Sequence, residues 1–232
     1  MAALRVPTLA RERAAWRDGR LLVGVDEVGR GPLAGPVVAA AVVFPEGCRK
    51  LRGLRDSKLL AASRREALAI AIRSTALAIG VGAASSREID RFNIRVASAL
   101  AMRRALDRCQ RQGAPAGCWV LIDGLPLPEI GLAHQALVDG DALCHSVAAA
   151  AVVAKTVRDA LMRRLAVRYP GYGWDTNVGY ATDSHQAGLR LLGPTRHHRR
   201  SFFPIAQLQF DFVSGELHTG ELHTTETQRH GA

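Results

Sequence analysis

The stretch LLVGVDEVGRGPLAGPVVAAAVVF, residues 21–44, contains two apolar runs separated by an acidic pair and a turn rich in glycine and proline. The run Leu21–Val25 is short and apolar, which is typical of a buried strand. The run Pro36–Phe44 is dominated by Val and Ala and follows the turn, so it predicts a second strand. In this interpretation the acidic pair Asp26-Glu27 closes the first strand.

Strand and helix patterns alternate on the C-terminal side of this stretch. Two Ser-x-x-Glu sequences, Ser63–Glu66 and Ser85–Glu88, have the form of capping boxes, and each predicts the start of a helix. Asn93 is expected to cap a longer helix that Gly113 ends. The first of these helices is expected to end near Ser74. Further strands are predicted at Leu77–Ala83, Trp119–Ile122 and Gln135–Val138, and a further helix at Ser146–Arg168. This order predicts a mixed α/β layer fold.

The composition is that of a globular protein with one domain, or one domain and a small appendage. Of the 232 residues, 48% are hydrophobic and 22% are charged. The formal net charge is +10, from 31 Lys and Arg against 21 Asp and Glu. Such an excess favours a polyanionic partner, nucleic acid before membrane, because Lys and Arg release counterions when they neutralise phosphates. Charge alone fits a merely soluble basic protein equally well.

Neither disulfides nor a membrane segment is expected. Residues 1–20 are rich in Arg and lack the apolar core of a signal peptide. The longest uncharged stretches, such as Gly31–Pro45, are interrupted by Gly and Pro and are too short to span a bilayer. We therefore expect a cytoplasmic protein. Four cysteines are scattered without the spacing of a zinc site: Cys48, Cys109, Cys118 and Cys144.

Acidic residues follow several of the predicted strands. Asp26-Glu27 closes the first strand and Asp123 closes the fourth, while Asp141 comes shortly after the weak fifth strand. If the first and fourth strands are parallel neighbours, their carboxylates converge at one edge of the sheet. Acids in such positions also commonly cap the next helix or lie in a solvated turn, and Asp141 is the most open to that alternative.

Convergent carboxylates would favour a bound cation. Carboxylates within a few ångströms repel one another and raise their pKa values unless a cation lies among them. Oxygen ligands suit Mg²⁺ or Mn²⁺. Two such ions roughly 3.5–4 Å apart form the usual clamp for phosphodiester hydrolysis. The pattern thus suggests a metal-dependent phosphodiesterase, without requiring one.

The string GVDEVGRGPLAGP, residues 24–36, resembles the type 2 ribonuclease H family, specifically bacterial ribonuclease HII. The resemblance covers about residues 20–205. Other family-like segments follow in the family's order: Asp56-Ser57-Lys58, Glu88-Ile89-Asp90 with Asn93-Ile94, Ile122-Asp123-Gly124, Gly140-Asp141, Ala154-Lys155 with Arg158-Asp159, and Gly179-Tyr180-Ala181-Thr182.

The resemblance implies a ribonuclease H-like mixed five-stranded sheet flanked by helices, with a helical C-terminal extension. The expected domains are an N-terminal extension (1–20), a catalytic domain (21–168) and a substrate-binding helical region (169–212). A polar tail (213–232), with a tandem Gly-Glu-Leu-His-Thr, is expected to be disordered. The catalytic and metal-binding acids implied by the resemblance are Asp26, Glu27, Asp123 and Asp141.

The implied activity is endonucleolytic cutting of the RNA strand of RNA–DNA hybrids, and cutting 5′ of single ribonucleotides in duplex DNA. Two Mn²⁺ or Mg²⁺ ions would act, and the products would carry 3′-hydroxyl and 5′-phosphate ends. The expected roles are ribonucleotide excision and RNA primer removal in DNA repair and replication. We expect a monomer whose partners are hybrids and ribonucleotide-containing duplexes.

Several further residues match the family's substrate-binding positions. Gly29-Arg30-Gly31 matches the segment that lies against the ribonucleotide and senses its 2′-hydroxyl, and glycine permits such a close approach of main chain. Tyr180 matches the tyrosine that packs on the next deoxyribose. The candidates for phosphate contact are Ser57, Lys58, Lys155 and Arg158, for which helix-surface charge or an internal ion pair stays an alternative.

Two features differ from the family's pattern or lie outside it. Ala151 stands where the family often has a serine; if that serine hydroxyl holds a phosphate, its absence would weaken one contact without affecting the metals. His197-His198, between Arg196 and Arg199-Arg200, has no third metal ligand nearby and predicts a basic surface segment.

Two rival functions remain open on sequence alone. A nucleotide-cofactor enzyme could be built on the glycine-rich turn, although its third glycine comes one residue too late for the dinucleotide fingerprint. A non-catalytic nucleic-acid-binding protein would use the same basic surface without metal-dependent cutting.

Overall fold

A computed structural model describes residues 6–203 and 205–207. Within these residues the centre is a five-stranded sheet of order β3-β2-β1-β4-β5. Strand β1 is antiparallel to β2, which is antiparallel to β3, whereas β1, β4 and β5 run parallel. The strands are β1 (Leu22–Val28), β2 (Val37–Val43), β3 (Ala78–Ala84), β4 (Trp119–Asp123) and β5 (Gln135–Leu137).

Helices cover both faces of the sheet. One face packs against α3, and the other packs against α2 and α5. The backbone of α5 runs so close to β1 that a Cβ on Gly24 would lie 2.3 Å from the main chain of Ser146. The helices are α1 (Ala10–Arg17), α2 (Ala62–Thr75), α3 (Ser86–Arg111), α4 (Gly140–Leu143), α5 (His145–Arg168), α6 (Trp174–Asn177) and α7 (Asp183–Leu192).

This architecture confirms the predicted α/β fold with its mixed sheet. The parallel pairing of β1 with β4, on which the convergence of the acids depended, is present. The first strand is longer than predicted: it continues to Val28 because Asp26 and Glu27 still pair with Ala40 and Ala39 of β2. The acidic pair therefore lies within the strand near its end, and not after it.

One of the two predicted capping boxes is present. Ser85 accepts a hydrogen bond from the Glu88 amide while the Glu88 carboxylate accepts one from the Ser85 amide. The box predicted at Ser63 is wrong, because α2 already begins at Ala62 and has no side-chain cap. Asn93 does cap the longer part of α3: its φ of 69° interrupts the helix, and its side chain accepts hydrogen bonds from the amides of Arg95 and Val96.

The C-terminal helices pack beside the turn that follows β1. Leu33 and Ala34 of that turn share a buried cluster with Met162, Trp174 and Leu189. This is the predicted helical extension, and it brings the 179–182 segment next to the glycine-rich turn. The tail at 213–232 lies outside the described residues. None of the helices in the described ranges is long and apolar enough to cross a bilayer.

Candidate active site

The pairing of β1 with β4 brings their acidic residues to one edge of the sheet. The register aligns Val25 with Ile122, so Asp26 and Asp123 are the next residues of two adjacent parallel strands. Asp123 Oδ1 accepts a 2.7 Å hydrogen bond from the amide of Gly140, the first residue of α4. That bond fixes the start of α4 against β4 and brings Asp141 to the same edge.

A cavity of about 300 Å³ opens at this edge. It is lined by all four predicted acids and by most of the predicted substrate-binding residues: Asp26, Glu27, Val28, Gly29, Arg30, Gly31, Ser57, Lys58, Asp123, Asp141, Ala151, Lys155 and Tyr180. A larger groove of about 620 Å³ lies along α3 between residues such as Arg87, Phe92 and Arg103, but it lacks convergent carboxylates. We therefore place the chemistry in the smaller cavity, which we call the acidic cavity.

The electrostatics of the acidic cavity disfavour four ionised carboxylates. Burial, followed by the charges of Glu27, Asp123 and Asp141, raises the pKa of Asp26 well above its ordinary value. Burial also raises the pKa of Glu27 and of Asp123. Burial together with the neighbouring Asp123 and Asp56 raises the pKa of Asp141 to about 6.

The donor set of the acidic cavity fits a hard divalent cation. Its converging ligands are carboxylate oxygens, and the raised pKa values show that positive charge among them would be stabilising. In the described part of the chain no three His, Cys, Asp or Glu side chains are already gathered as a ligand set. Glu27 instead pairs with Arg30 at 3.0 Å. The main chain already brings the carboxylates to one edge of the sheet, but their side chains would have to rotate before they could bind one ion together.

The glycine-rich turn and Tyr180 form one wall of the acidic cavity. Gly29 has φ of +90°, and a Cβ there would lie 2.1 Å from Arg158 Nε. Gly31 faces Tyr180: a Cβ on it would lie 3.8 Å from the tyrosine ring, whose side chain is exposed. Only glycine fits at position 29. At position 31 a narrow open slot lies between the main chain and the Tyr180 ring.

Basic groups stand around the carboxylates. Burial would lower the pKa of Lys58, but the carboxylates of Asp56, Asp141, Asp26 and Asp123 outweigh it and raise that pKa. Lys155 lines the cavity and pairs with Asp159 at 2.8 Å. Ser57 also lines the cavity and is buried.

The predicted phosphate contact by Arg158 is wrong in this geometry. Arg158 is fully buried, and its guanidinium donates to the carbonyls of Ala34, Pro36 and Val178. Neither alternative from the sequence, a surface charge or an internal ion pair, describes it. The side chain holds the glycine-rich turn against the C-terminal region, so it is not available to a phosphate.

The segment around His197-His198 is only in part the basic surface that was predicted, because Arg196 and Arg200 are exposed whereas His197 is half-buried. His198 and Arg199 are buried. The Nε2 atom of His185 lies 3.1 Å from that of His198 and 3.0 Å from Trp174 Nε1, while His185 Nδ1 lies 2.8 Å from the Tyr180 carbonyl. Burial lowers the pKa of both histidines, which favours neutral rings that hold Tyr180 in place. Nothing in this run of basic residues indicates from the sequence that His198 and Arg199 are buried.

The fold and the acidic cavity together define an α/β protein with a carboxylate-lined site that is also lined by a glycine-rich turn, an exposed tyrosine and basic side chains. Comparison with known proteins agrees with this class. The family model for Ribonuclease HII matches residues 23–205. Ribonuclease HII of Synechococcus sp. (strain JA-3-3Ab) is 50% identical over 212 residues, which are 90% of this chain and 94% of the relative.

Solved structures show the same fold. The ribonuclease H2 from Pyrococcus horikoshii OT3 matches with a TM-score of 0.70 and 25% identity, over 83% of this chain and 99% of that one. Bst-RNase HIII in complex with Mn²⁺ matches in fold, with a TM-score of 0.63 and 21% identity over 82% of this chain and 70% of that one. The chain belongs to the ribonuclease HII family. It is an endoribonuclease of the ribonuclease H type, a hydrolase that acts on RNA–DNA hybrids.

Proposed function

We propose that the protein cuts on the 5′ side of single ribonucleotides embedded in duplex DNA, as well as within the RNA strand of hybrids. The products would carry 3′-hydroxyl and 5′-phosphate ends. The observation that supports the proposal is the acidic cavity, which Asp26, Glu27, Asp123 and Asp141 from β1, β4 and α4 line together with Tyr180. A protein that only bound phosphates would gain nothing from four carboxylates in its cleft.

Asp26, Glu27, Asp123 and Asp141 would hold two Mn²⁺ or Mg²⁺ ions. When bound, such ions supply an activated water as nucleophile and neutralise charge on the departing 3′ oxygen. The protein's own contribution is position: β1 and β4 are buried strands of the central sheet, so Asp26 and Asp123 stand on a rigid frame. The Mn²⁺ complex of the structural neighbour agrees with the choice of ion.

The wall of the acidic cavity supports recognition of a single ribonucleotide. Because glycine has no side chain, the main chain of Gly29-Arg30-Gly31 can approach a bound sugar closely. The 2′-hydroxyl of that sugar is the group that distinguishes RNA from DNA. The exposed ring of Tyr180 faces Gly31 across the slot and can pack on the sugar that follows. Ser57, Lys58 and Lys155 are the proposed phosphate contacts. In this proposal the protein acts as a cytoplasmic monomer in ribonucleotide excision and primer removal.

The test is cleavage of end-labelled duplexes that carry no ribonucleotide, one ribonucleotide or an all-RNA strand. We expect cutting 5′ of the single ribonucleotide and within the RNA strand, only with Mg²⁺ or Mn²⁺ present, and no cutting of DNA. Substitution of Asp26→Asn or Asp123→Asn should lower the rate by about 10³-fold or more while duplex binding persists. Asp175→Asn, an exposed acid on α6, serves as the matched control.

Three kinds of result would count against the proposal. Full cutting in excess chelator, or by the Asp26→Asn protein, would rule out the metal-dependent mechanism. Cutting of the all-RNA strand with none at the single ribonucleotide would limit the protein to hybrids. Binding of duplex without any cutting would instead favour a non-catalytic nucleic-acid-binding protein.

A further inference from the structure

Arg199 is a buried arginine whose side chain contacts the main chain of the glycine-rich turn. Its guanidinium donates hydrogen bonds to the carbonyl of Gly29, to that of Arg30 at 2.6 Å, and to that of Gly35 at 3.0 Å from two nitrogens. The side chain is 0% exposed and does not line the acidic cavity. It therefore approaches the turn from the protein interior.

The contacts made by Arg199 set the direction of two amides. A carbonyl and the N–H of the following residue belong to one planar trans peptide and point in opposite directions, and the described residues contain no cis peptide. When the carbonyls of Gly29 and Arg30 point inward to Arg199, the N–H groups of Arg30 and Gly31 point outward. Both residues line the acidic cavity, and within the described residues neither amide donates to a main-chain carbonyl, so the cavity is where these two donors are expected to point.

The burial of Arg199 is costly, which argues for a specific role. Among the ion pairs of residues 6–203, none involves Arg199 or the neighbouring buried Arg158. A buried charge without a counterion is unfavourable unless hydrogen bonds replace its hydration. Here main-chain carbonyls accept these hydrogen bonds, and each of the two guanidinium groups binds a different set of carbonyls. Arg199 takes those of Gly29, Arg30 and Gly35, while Arg158 takes those of Ala34, Pro36 and Val178.

We propose that Arg199 is a positioning residue that orients the amides of Arg30 and Gly31 as a pair of donors for the sugar of the ribonucleotide. This rests on the proposed function, since it explains how that site would tell a ribonucleotide from a deoxyribonucleotide. The amides donate and a 2′-hydroxyl oxygen accepts, whereas deoxyribose offers no acceptor at that carbon. Phosphate contacts would be shared by both sugars.

The experiment compares Arg199→Lys with Arg65→Lys, a substitution of a partly buried arginine that also donates to a main-chain carbonyl, that of Leu60, but does not contact the glycine-rich turn. Lysine keeps the positive charge but cannot bridge several carbonyls as the planar guanidinium does. For each protein we would measure the Kd of a duplex with one ribonucleotide and of the all-DNA duplex, in chelator so that no cutting occurs. The ratio of the two Kd values does not depend on the fraction of folded protein. Melting temperatures would be measured alongside.

In the wild-type protein the ribonucleotide duplex should bind about tenfold more tightly, which corresponds to about 1.4 kcal/mol for the two hydrogen bonds together. Arg199→Lys should bring the ratio to within about twofold of unity, while Arg65→Lys should keep it close to the wild-type value. Equal ratios in all three proteins, or equal losses in both variants, would overturn the role of Arg199 while leaving the proposed cutting intact. Failure of the wild-type protein to cut would overturn the proposed function itself.

Discussion

Asp141 illustrates the electrostatic state of the acidic cavity in a single side chain. Burial and the charges of Asp123 and Asp56 raise its pKa from an ordinary 3.8 to about 6. Because its pKa is raised, the folded protein binds a proton more strongly than the unfolded chain does. Stability contributed by that proton is present at acidic pH and is lost as the pH rises through about 6. At neutral pH the ionised cavity therefore destabilises the metal-free protein.

We predict that Asp141→Asn raises the melting temperature of the metal-free protein at pH 8. The expected gain is about 2–4 °C, the shift produced by about 1 kcal/mol in a domain of this size. The gain should shrink as the pH falls from about 6 to about 4, where Asp141 becomes protonated in the wild-type protein as well. Thermal melts across that pH range would measure both effects.

Added Mg²⁺ or Mn²⁺ provides the complementary result. Divalent cations should stabilise the wild-type protein more than Asp141→Asn, because the ions bind only where the carboxylates are intact. Asp175→Asn should behave like wild type throughout. A melting temperature at pH 8 that is lower in Asp141→Asn than in wild type would show that the cavity is not under electrostatic strain.

Substitution of Gly29 and of Gly31 by alanine tests the proposed sugar site in a second way. Gly29→Ala should unfold or strongly destabilise the protein, because its φ is +90° and a Cβ would collide with Arg158. Gly31→Ala should fold normally, since a Cβ there meets only the Tyr180 ring at 3.8 Å. The methyl would, however, occupy the slot where the sugar is proposed to bind. We expect at least about a tenfold rise in KM for a single-ribonucleotide duplex, with little change in melting temperature.

Equal activity of wild type and Gly31→Ala would exclude the slot as the sugar site. Tyr180→Phe, which keeps the ring and removes only the hydroxyl, is the control for packing against the sugar. It should retain most activity if the face of the ring is what matters.

At the scale of elements, α5 depends on a residue from the opposite end of the chain. The N-cap of α5 is Cys144, which provides no side-chain cap. Glu12 of α1 takes this role: its buried carboxylate accepts from the Ser146 amide at 2.7 Å and from the Ser146 hydroxyl at 2.8 Å. A carboxylate at a helix N-terminus also interacts favourably with the helix dipole. Residues 1–20, to which the sequence assigned no role, therefore include a cap for the helix that follows Asp141.

We predict that Glu12→Ala lowers the melting temperature by about 4–8 °C. This corresponds to about 2 kcal/mol for the loss of charged hydrogen bonds at a buried site. Glu12→Gln should lose less, because its amide oxygen can still accept. Arg13→Ala, an exposed change on the same helix, is the control. A melting temperature for Glu12→Ala equal to that of Arg13→Ala would show that α1 does not stabilise α5.

At the scale of the whole molecule, local patterns and distant contacts were not equally predictable. The strands, the long helices and the cap at Ser85 follow from hydrophobic periodicity and neighbouring residues, so sequence reasoning predicted them closely. The convergence of Asp26 with Asp123 needed one added assumption, the parallel pairing of β1 and β4, which the structure confirms. The resemblance then supplied residue roles that no local pattern contains.

The roles of Glu12, Arg158 and Arg199 could not be predicted, because their partners lie far away in sequence. Glu12 contacts a residue 134 positions away, and Arg199 contacts one 170 positions away. A charged residue in a basic or polar segment normally predicts a solvated side chain. Burial of these residues follows from contacts of α1 with the start of α5, and of α5 and Arg199 with the glycine-rich turn and the 178–179 segment, which only the folded structure shows.

The proposed mechanism depends on separate elements delivering their carboxylates to one cation site. The most direct test is a crystal structure of the protein soaked in Mn²⁺, with anomalous scattering used to locate the ions. We predict Mn²⁺ in the acidic cavity, in contact with carboxylate oxygens of both Asp26 and Asp123. Crystals of Asp123→Asn should show that site weakened or empty. Anomalous peaks only elsewhere on the molecule, with Asp26 and Asp123 contacting no common ion, would contradict the proposed metal site.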